Sequence, residues 1–250
     1  MIKKLIKYIY TGWCAIAFII PMLALAIPMV LPLLISRKLD FITYFFIRVW
    51  VYCFSILTGI WFIGHNKRLV DRKKSYIFVI NHTSFLDAPA IPIAIPSTLV
   101  ALGKKELSKI PVFGWITSRF AIWVDRSNPE SRKEGSQRLK HLLSGGTSVL
   151  VAPEGTRNNS GEPLLPFRYG PFRLAIESQI PILPVIIHDA AKLMKRGSLL
   201  LSPGVVHTYC LPEISVEGLT EDDLDNLTQQ TYELMKTKII ELNSHQSDKN

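Results

Sequence analysis

Tyr76-Ile77-Phe78-Val79-Ile80-Asn81-His82-Thr83-Ser84-Phe85-Leu86-Asp87-Ala88 divides into two parts. Its first five residues form a short apolar, β-branched and aromatic run, the pattern of a buried strand. The run stops at Asn81-His82, and a new apolar segment begins beyond Asp87. Strand ends of this kind are where α/β proteins place ligands, because the chain is exposed there yet anchored by a rigid sheet. His82 and Asp87 would lie about 140° apart on one straight helix. They can meet if His82 precedes the helix and Asp87 occupies its first turn. Ser84-x-x-Asp87 resembles a capping box and supports that start. The Asp87 carboxylate could then reach back to the imidazole, fixing its tautomer and favouring imidazolium. The other ring nitrogen would be left to take a proton from a hydroxyl. The alternative is a plain helix cap beside a loop histidine.

Composition narrows the class. The chain has 250 residues, a net charge of +9 and 48% hydrophobic residues. Such a length can bury one substantial core. A basic and apolar chain fits an anionic membrane surface or lipid substrate, and no recognised nucleic-acid motif accompanies the charge. Cys14, Cys53 and Cys210 are scattered, so neither a disulfide framework nor a zinc site is expected, and a reducing compartment fits.

Between Tyr8 and Ser36 there is no charged residue, a run longer than a signal-peptide core and long enough to cross a bilayer. Pro21, Pro28 and Pro32 favour kinks within it. A second apolar block, Phe41 to Ile63, is interrupted only by Arg48, which would snorkel to the interface. Two readings stay open: a helical pair dipping into one leaflet, or a true span followed by an interfacial helix. The expected division is therefore residues 1–66 as membrane-anchoring helices, 67–243 as the α/β domain, and 244–250 as a flexible tail.

Within the domain, strands are expected near Ser97–Leu102, Ala121–Val124, Thr147–Ala152, Ile182–Ile187, Leu199–Leu201 and Val205–Tyr209, the last two as a hairpin. Helices are expected after Asn128-Pro129, at Pro171–Ser178 and after the cap Thr220-x-x-Asp223. Strands alternating with helices predict an α/β fold with helices flanking a mixed sheet. A second strand end carries Glu154-Gly155-Thr156-Arg157. Gly155 would let backbone N–H groups approach an anion, Thr156 offers a hydroxyl, Arg157 offers a phosphate-matching fork, and Glu154 would hold cationic neighbours. Lys105 and Arg126 end two further strands. A base, an orienting acid and an anion cradle together suggest transfer to a hydroxyl on a phosphorylated, lipid-like acceptor.

The ordered set Asn81-His82-x4-Asp87, Lys105-Glu106-Leu107 with Pro111 and Gly114, Asp125-Arg126, Glu154-Gly155-Thr156-Arg157 and Pro181-Ile182-x-Pro184-Val185 resembles the motifs of the glycerolipid acyltransferases. The likeness is to the 1-acyl-sn-glycerol-3-phosphate (lysophosphatidic acid) acyltransferases and covers roughly Lys67 to His188. It implies an acyltransferase-type fold, His82 as general base and Asp87 as its partner. Lys105, Arg126, Glu154, Gly155, Thr156 and Arg157 would form the acceptor site. The resemblance also implies direct attack on acyl-CoA or acyl-ACP as co-substrate, with no resident cofactor or metal, at the cytoplasmic membrane with the active site facing the cytoplasm. Expected partners are the lipid bilayer, lysophosphatidic acid and acyl carrier protein or coenzyme A. Another lysolipid acceptor such as lyso-ornithine lipid, a hydrolase using Ser84, and a non-catalytic membrane scaffold are the alternatives. No Gly-x-Ser-x-Gly elbow supports the hydrolase.

Overall fold

The computed structural model describes residues 2–110, 112–125, 127–195 and 197–247. A helical pair comes first. α1 (Ile2–Ala24) and α2 (Ala26–Ile35) form one bent rod, and α3 (Asp40–Thr58) returns alongside it. The bend at Leu25 has a local cause: Pro28 lacks the N–H that would bond to Ala24 O.

The remaining elements, in order, are β1 (Ile60–His65), β2 (Ile77–Ile80), α4 (Asp87–Ala94), β3 (Leu99–Lys104), α5 (Phe113–Thr117) and β4 (Ala121–Val124). They continue with α6 (Pro129–Ser144), β5 (Ser148–Val151), α7 (Gly170–Ser178), β6 (Ile182–His188), α8 (Ala190–Leu193), β7 (Gly204–Cys210) and α9 (Leu224–Ser247). The sheet order is β1-β7-β6-β2-β5-β3-β4. All neighbours are parallel except β6 and β7, so β1 and β7 run against the rest. The mixed α/β sheet is the expected fold.

Alternate residues of the strands divide the core. Phe78 and Ile80 face the side covered by α1, α3 and α4, whereas Ile77 and Val79 face α6, α7 and α9. β2 and β6 are buried along their whole lengths, which explains their unbroken apolar runs. α6 starts where Asn128 caps the amides of Glu130 and Ser131. The turn before α9 carries the expected reciprocal box of Thr220 and Asp223.

Several expectations are corrected. The apolar block ending at Ile63 is not one helix: α3 stops at Thr58, Gly59 takes φ 70° as a left-handed cap, and Ile60–His65 becomes an edge strand. The sheet therefore begins before the boundary expected at residue 66. Leu199–Leu201 forms no strand; Leu201 N–H donates to Thr11 of α1 and Ser202 N–H to Leu193 O. α9 continues through Ser244 to Ser247 instead of fraying at residue 244, and residues 248–250 lie outside the described set. Arg48 does not snorkel. It is half-buried, and its guanidinium donates to Pro92 O and Ile95 O at the end of α4, 2.8 and 3.1 Å away.

Ile2–Ala24 and Arg37–Thr58 are long and apolar enough to cross a membrane. They are also part of the core, since Cys14, Ala17, Met22 and Met29 pack with Trp50, Phe54, Phe62 and Phe78. Their outward stripe carries exposed Ile9, Ile16, Ile20, Ile27, Leu34 and Phe45. The stripe associates the protein with a membrane.

Candidate active site

His82 leaves the C-terminal end of β2 through a loop held by carboxylates. Asn81 comes first, and it substitutes for strand pairing: its side chain donates to Ile187 O and accepts from Ile187 N–H, at 2.9 and 2.7 Å. This amide locks the strand end to β6. His82 N–H then donates to Glu154 Oε1 at 2.8 Å, and His82 O accepts from Asn158 N–H at 2.6 Å. The loop from β2 is thereby fixed to the loop from β5.

Asp87 lies in the first turn of α4, as the spacing requires, and its side chain is 2% exposed. Its Oδ2 accepts from the amides of Thr83 and Ser84 at 2.8 and 2.9 Å and lies 2.7 Å from His82 Nδ1. The helix N-terminus adds favourable potential for a carboxylate. An acceptor on Nδ1 assigns the proton there, and His82 Nε2 is left without a protein partner among the described residues. The ring is partly exposed, and its Nε2 carries a lone pair that can accept a proton.

The Ser84 hydroxyl donates to Met194 O at 2.8 Å, and the residue is fully buried. It acts as a tie between the loop and the segment after α8. That geometry disqualifies it as a nucleophile, since a nucleophile must be accessible to substrate.

The Glu154 loop differs from expectation in two respects. Glu154 does not face cations: its two oxygens take the amides of His82 and Leu165, at 2.8 and 2.9 Å. Burial pushes its carboxyl above the usual range, while the Leu165 and His82 amides pull in the other direction. It is a brace for His82. Gly155 donates its N–H to Ala152 O, at φ 69°. A methyl on Gly155 would fall 2.6 Å from Arg168 Nε, so the glycine makes room for a second arginine. Thr156 and Arg157 follow in the same half-buried turn, and the Arg157 guanidinium stacks over the Phe85 ring at 4.0 Å. The stacking places a cation on the same short loop as His82.

Lys105 begins the turn after β3, two strands from β2, and is exposed; its charge helps to hold the Asp125 carboxyl low, after the Ser127 hydroxyl and amide. The two strand ends share the sheet edge with His82. Arg126 and Pro111 lie outside the described residues.

Beside this edge is an apolar cavity of about 360 Å³. Phe85, Leu86 and Pro89 form its wall next to the His82 loop, and Phe18 and Val51 from the helical pair form another, with Met194 closing a third. Residues so far apart in sequence carry no joint signal. Arg168 had only a weak one, as a cation after Pro166-Phe167.

Comparison with other proteins decides the family. The acyltransferase family matches residues 62–188, a stretch that contains His82, Asp87 and the Glu154–Arg157 loop. The chain belongs to the acyltransferase family. This acyltransferase is 33% identical to the mouse 1-acyl-sn-glycerol-3-phosphate acyltransferase alpha over 68% of its length and 60% of the relative's. It is also 33% identical to the Haemophilus influenzae 1-acyl-sn-glycerol-3-phosphate acyltransferase, over 66% of this chain and 69% of that one. The match thus spans about three-fifths to two-thirds of these relatives. The crystal structure of the 1-acyl-sn-glycerophosphate (LPA) acyltransferase PlsC from Thermotoga maritima superposes with a TM-score of 0.79. It covers 97% of both chains at 22% identity, so the fold is shared from the helical pair to α9.

Proposed function

We propose that this acyltransferase moves a fatty acyl group from acyl-CoA or acyl-ACP to the sn-2 hydroxyl of 1-acylglycerol 3-phosphate, forming phosphatidic acid. The observation that carries the reading is the 2.7 Å pair of His82 Nδ1 and Asp87 Oδ2 beside an apolar cavity. The acceptor hydroxyl gives its proton to His82 Nε2 as its oxygen attacks the thioester carbonyl. Asp87 meets the positive charge that develops on the ring. The tetrahedral intermediate collapses, the C–S bond breaks, and the thiolate leaves and takes up the proton held by His82. No covalent acyl-enzyme is needed. The acyl chain occupies the apolar cavity, and the acceptor phosphate is held by Arg157 with Thr156, Lys105 and Arg126.

The helical pair supports insertion into one leaflet. It touches the domain at both ends and midway: Leu201 N–H donates to Thr11 on α1, Arg48 meets α4, and Arg119 after α5 donates to Leu33 O. A spanning pair would be ringed by lipid along most of its length. We place it on the cytoplasmic face of the inner membrane, where three unpaired cysteines fit a reducing compartment.

The test is acyl transfer in liposomes with labelled acyl thioester and either 1-acylglycerol 3-phosphate, glycerol 3-phosphate or a lysophosphatidylcholine acceptor, with His82→Ala in parallel. Product from 1-acylglycerol 3-phosphate alone, lost in the variant, is expected. Turnover only with another acceptor would move the substrate assignment, and a folded, active His82→Ala variant would overturn the mechanism.

A further inference from the structure

A second cavity, of about 560 Å³, lies between the end of α2, the turn at Arg37 and the segment from α5 to Arg119. It shares no lining residue with the cavity beside His82. Along the helical rod, the nearest lining residues of the two, Ile19 and Val30, are separated by a rise of about 16 Å. The groove is therefore separate from the cavity beside His82.

Its walls combine two kinds of group. Leu33, Leu34 and Trp115 are apolar, while Ser118, Arg37 and Arg119 bring a hydroxyl and two positive charges. Arg119 is held in place from behind: its guanidinium donates to Leu33 O, a carbonyl left over at the end of α2, and its Nε lies 3.5 Å from Asp40 Oδ1. Asp40 is not part of the wall. Arg37, one turn away, is exposed. The acidic charge therefore backs the groove and the basic charges line it.

The rim identifies the occupant. Leu34 is 76% exposed, Ile35 65%, Phe41 64% and Trp115 63%. They continue the apolar stripe by which the helical pair meets the membrane. Tryptophan beside arginine at the edge of such a stripe is the pattern of the headgroup layer. The volume exceeds what one inorganic anion fills, and the apolar wall would gain nothing from such an ion.

We propose that this groove binds an anionic glycerophospholipid of the bilayer, with its phosphate at Arg37 and Arg119 and its chains along Leu34 and Trp115. The proposal rests on membrane association of the helical pair and is independent of the acyl acceptor. Arginine forks suit the phosphate oxygens, and Ser118 adds a hydroxyl donor.

The experiment uses the full chain and vesicles of phosphatidylcholine, with or without phosphatidylglycerol. Arg37→Gln is compared with Lys38→Gln, which removes the same charge from the neighbouring residue outside the groove. Arg37→Gln is expected to weaken binding to phosphatidylglycerol vesicles by at least about ten-fold. Lys38→Gln is expected to lose no more than about five-fold, the effect of one cation near an anionic surface. Brominated phosphatidylglycerol should quench Trp115, isolated by difference against Trp115→Phe, more than brominated phosphatidylcholine does. Equal losses in the two variants, or equal quenching by the two lipids, would show diffuse charge attraction and overturn the site. Relief of quenching by millimolar inorganic phosphate without release from vesicles would assign the groove to a free anion instead. Failure to bind any vesicle would overturn the membrane reading itself, a different result from loss of selectivity.

Discussion

His82 depends on two carboxylates with different duties. Asp87 orients the ring, and Glu154 fixes the backbone that carries it. Replacing His82 by Ala should lower turnover by about 10²–10⁴-fold while leaving the melting temperature close to that of the parent. Asp87→Asn should reduce turnover over a similar range, because an amide there cannot accept from Nδ1–H, Thr83 and Ser84 while also meeting charge on the ring. Steady-state kinetics with circular-dichroism melts would check both. Glu154 offers a pH signature. Its carboxyl is raised by burial in the folded chain, so the folded state holds this proton more tightly than the unfolded one. Its contribution to stability is full below the unfolded carboxyl pKa and falls as pH rises through the higher folded value. Glu154→Gln should remove that decline. It should also destabilise by about 1–3 kcal/mol, since the side-chain NH₂ would confront the amide of His82 or Leu165. Chemical denaturation of both proteins from mildly acidic to neutral pH would show whether their difference narrows as pH rises.

At the scale of elements, two loops and one helical pair meet, and each can be tested by size. Gly155→Ala would place a methyl against Arg168 and hold a non-glycine residue at φ 69°, a backbone penalty of about 1–2 kcal/mol. The expected outcome is a modest fall in melting temperature with a larger rise in KM for the acceptor than for the thioester. An equal rise for both would separate this loop from phosphate binding. Val51 of α3 is 2% exposed and lines the apolar cavity. Val51→Phe should shift preference towards shorter acyl chains, read by competition between thioesters of different length. An unchanged chain-length profile would place the acyl group elsewhere.

At the scale of the whole molecule, the sheet has a packed core on each face, and the helical pair belongs to one of them with an apolar side left for lipid. Because α1 and α2 contribute Cys14, Ala17, Met22 and Met29 to the packing around Phe78, they cannot be trimmed as a separable anchor. Deleting residues 1–35 is expected to abolish a cooperative melt instead of releasing a soluble domain. Met29→Ala, which truncates a fully buried side chain, should cost about 2–5 kcal/mol. A deletion variant that melts as sharply as the parent would refute this integration.

The amino-acid sequence alone determined what depends on neighbours along the chain. Apolar runs that end in polar residues marked β2, β4, β5 and β6. Asn128-Pro129 and Thr220-x-x-Asp223 marked two helix starts, and the spacing of His82 and Asp87 set their contact between the loop after β2 and the start of α4. Local geometry decides all of these, so local residues reveal them. Tertiary structure decided the rest. β1 was hidden because its apolar residues continue those of α3, and only its pairing with β7 makes it a strand. Glu154 looks like a cation holder until folding brings the amides of His82 and Leu165 to it and excludes water. Arg48 looks like an interfacial anchor until α4 presents its unpaired carbonyls. Both cavities are lined by segments distant in sequence, and their shape follows from packing, which no short stretch of chain encodes.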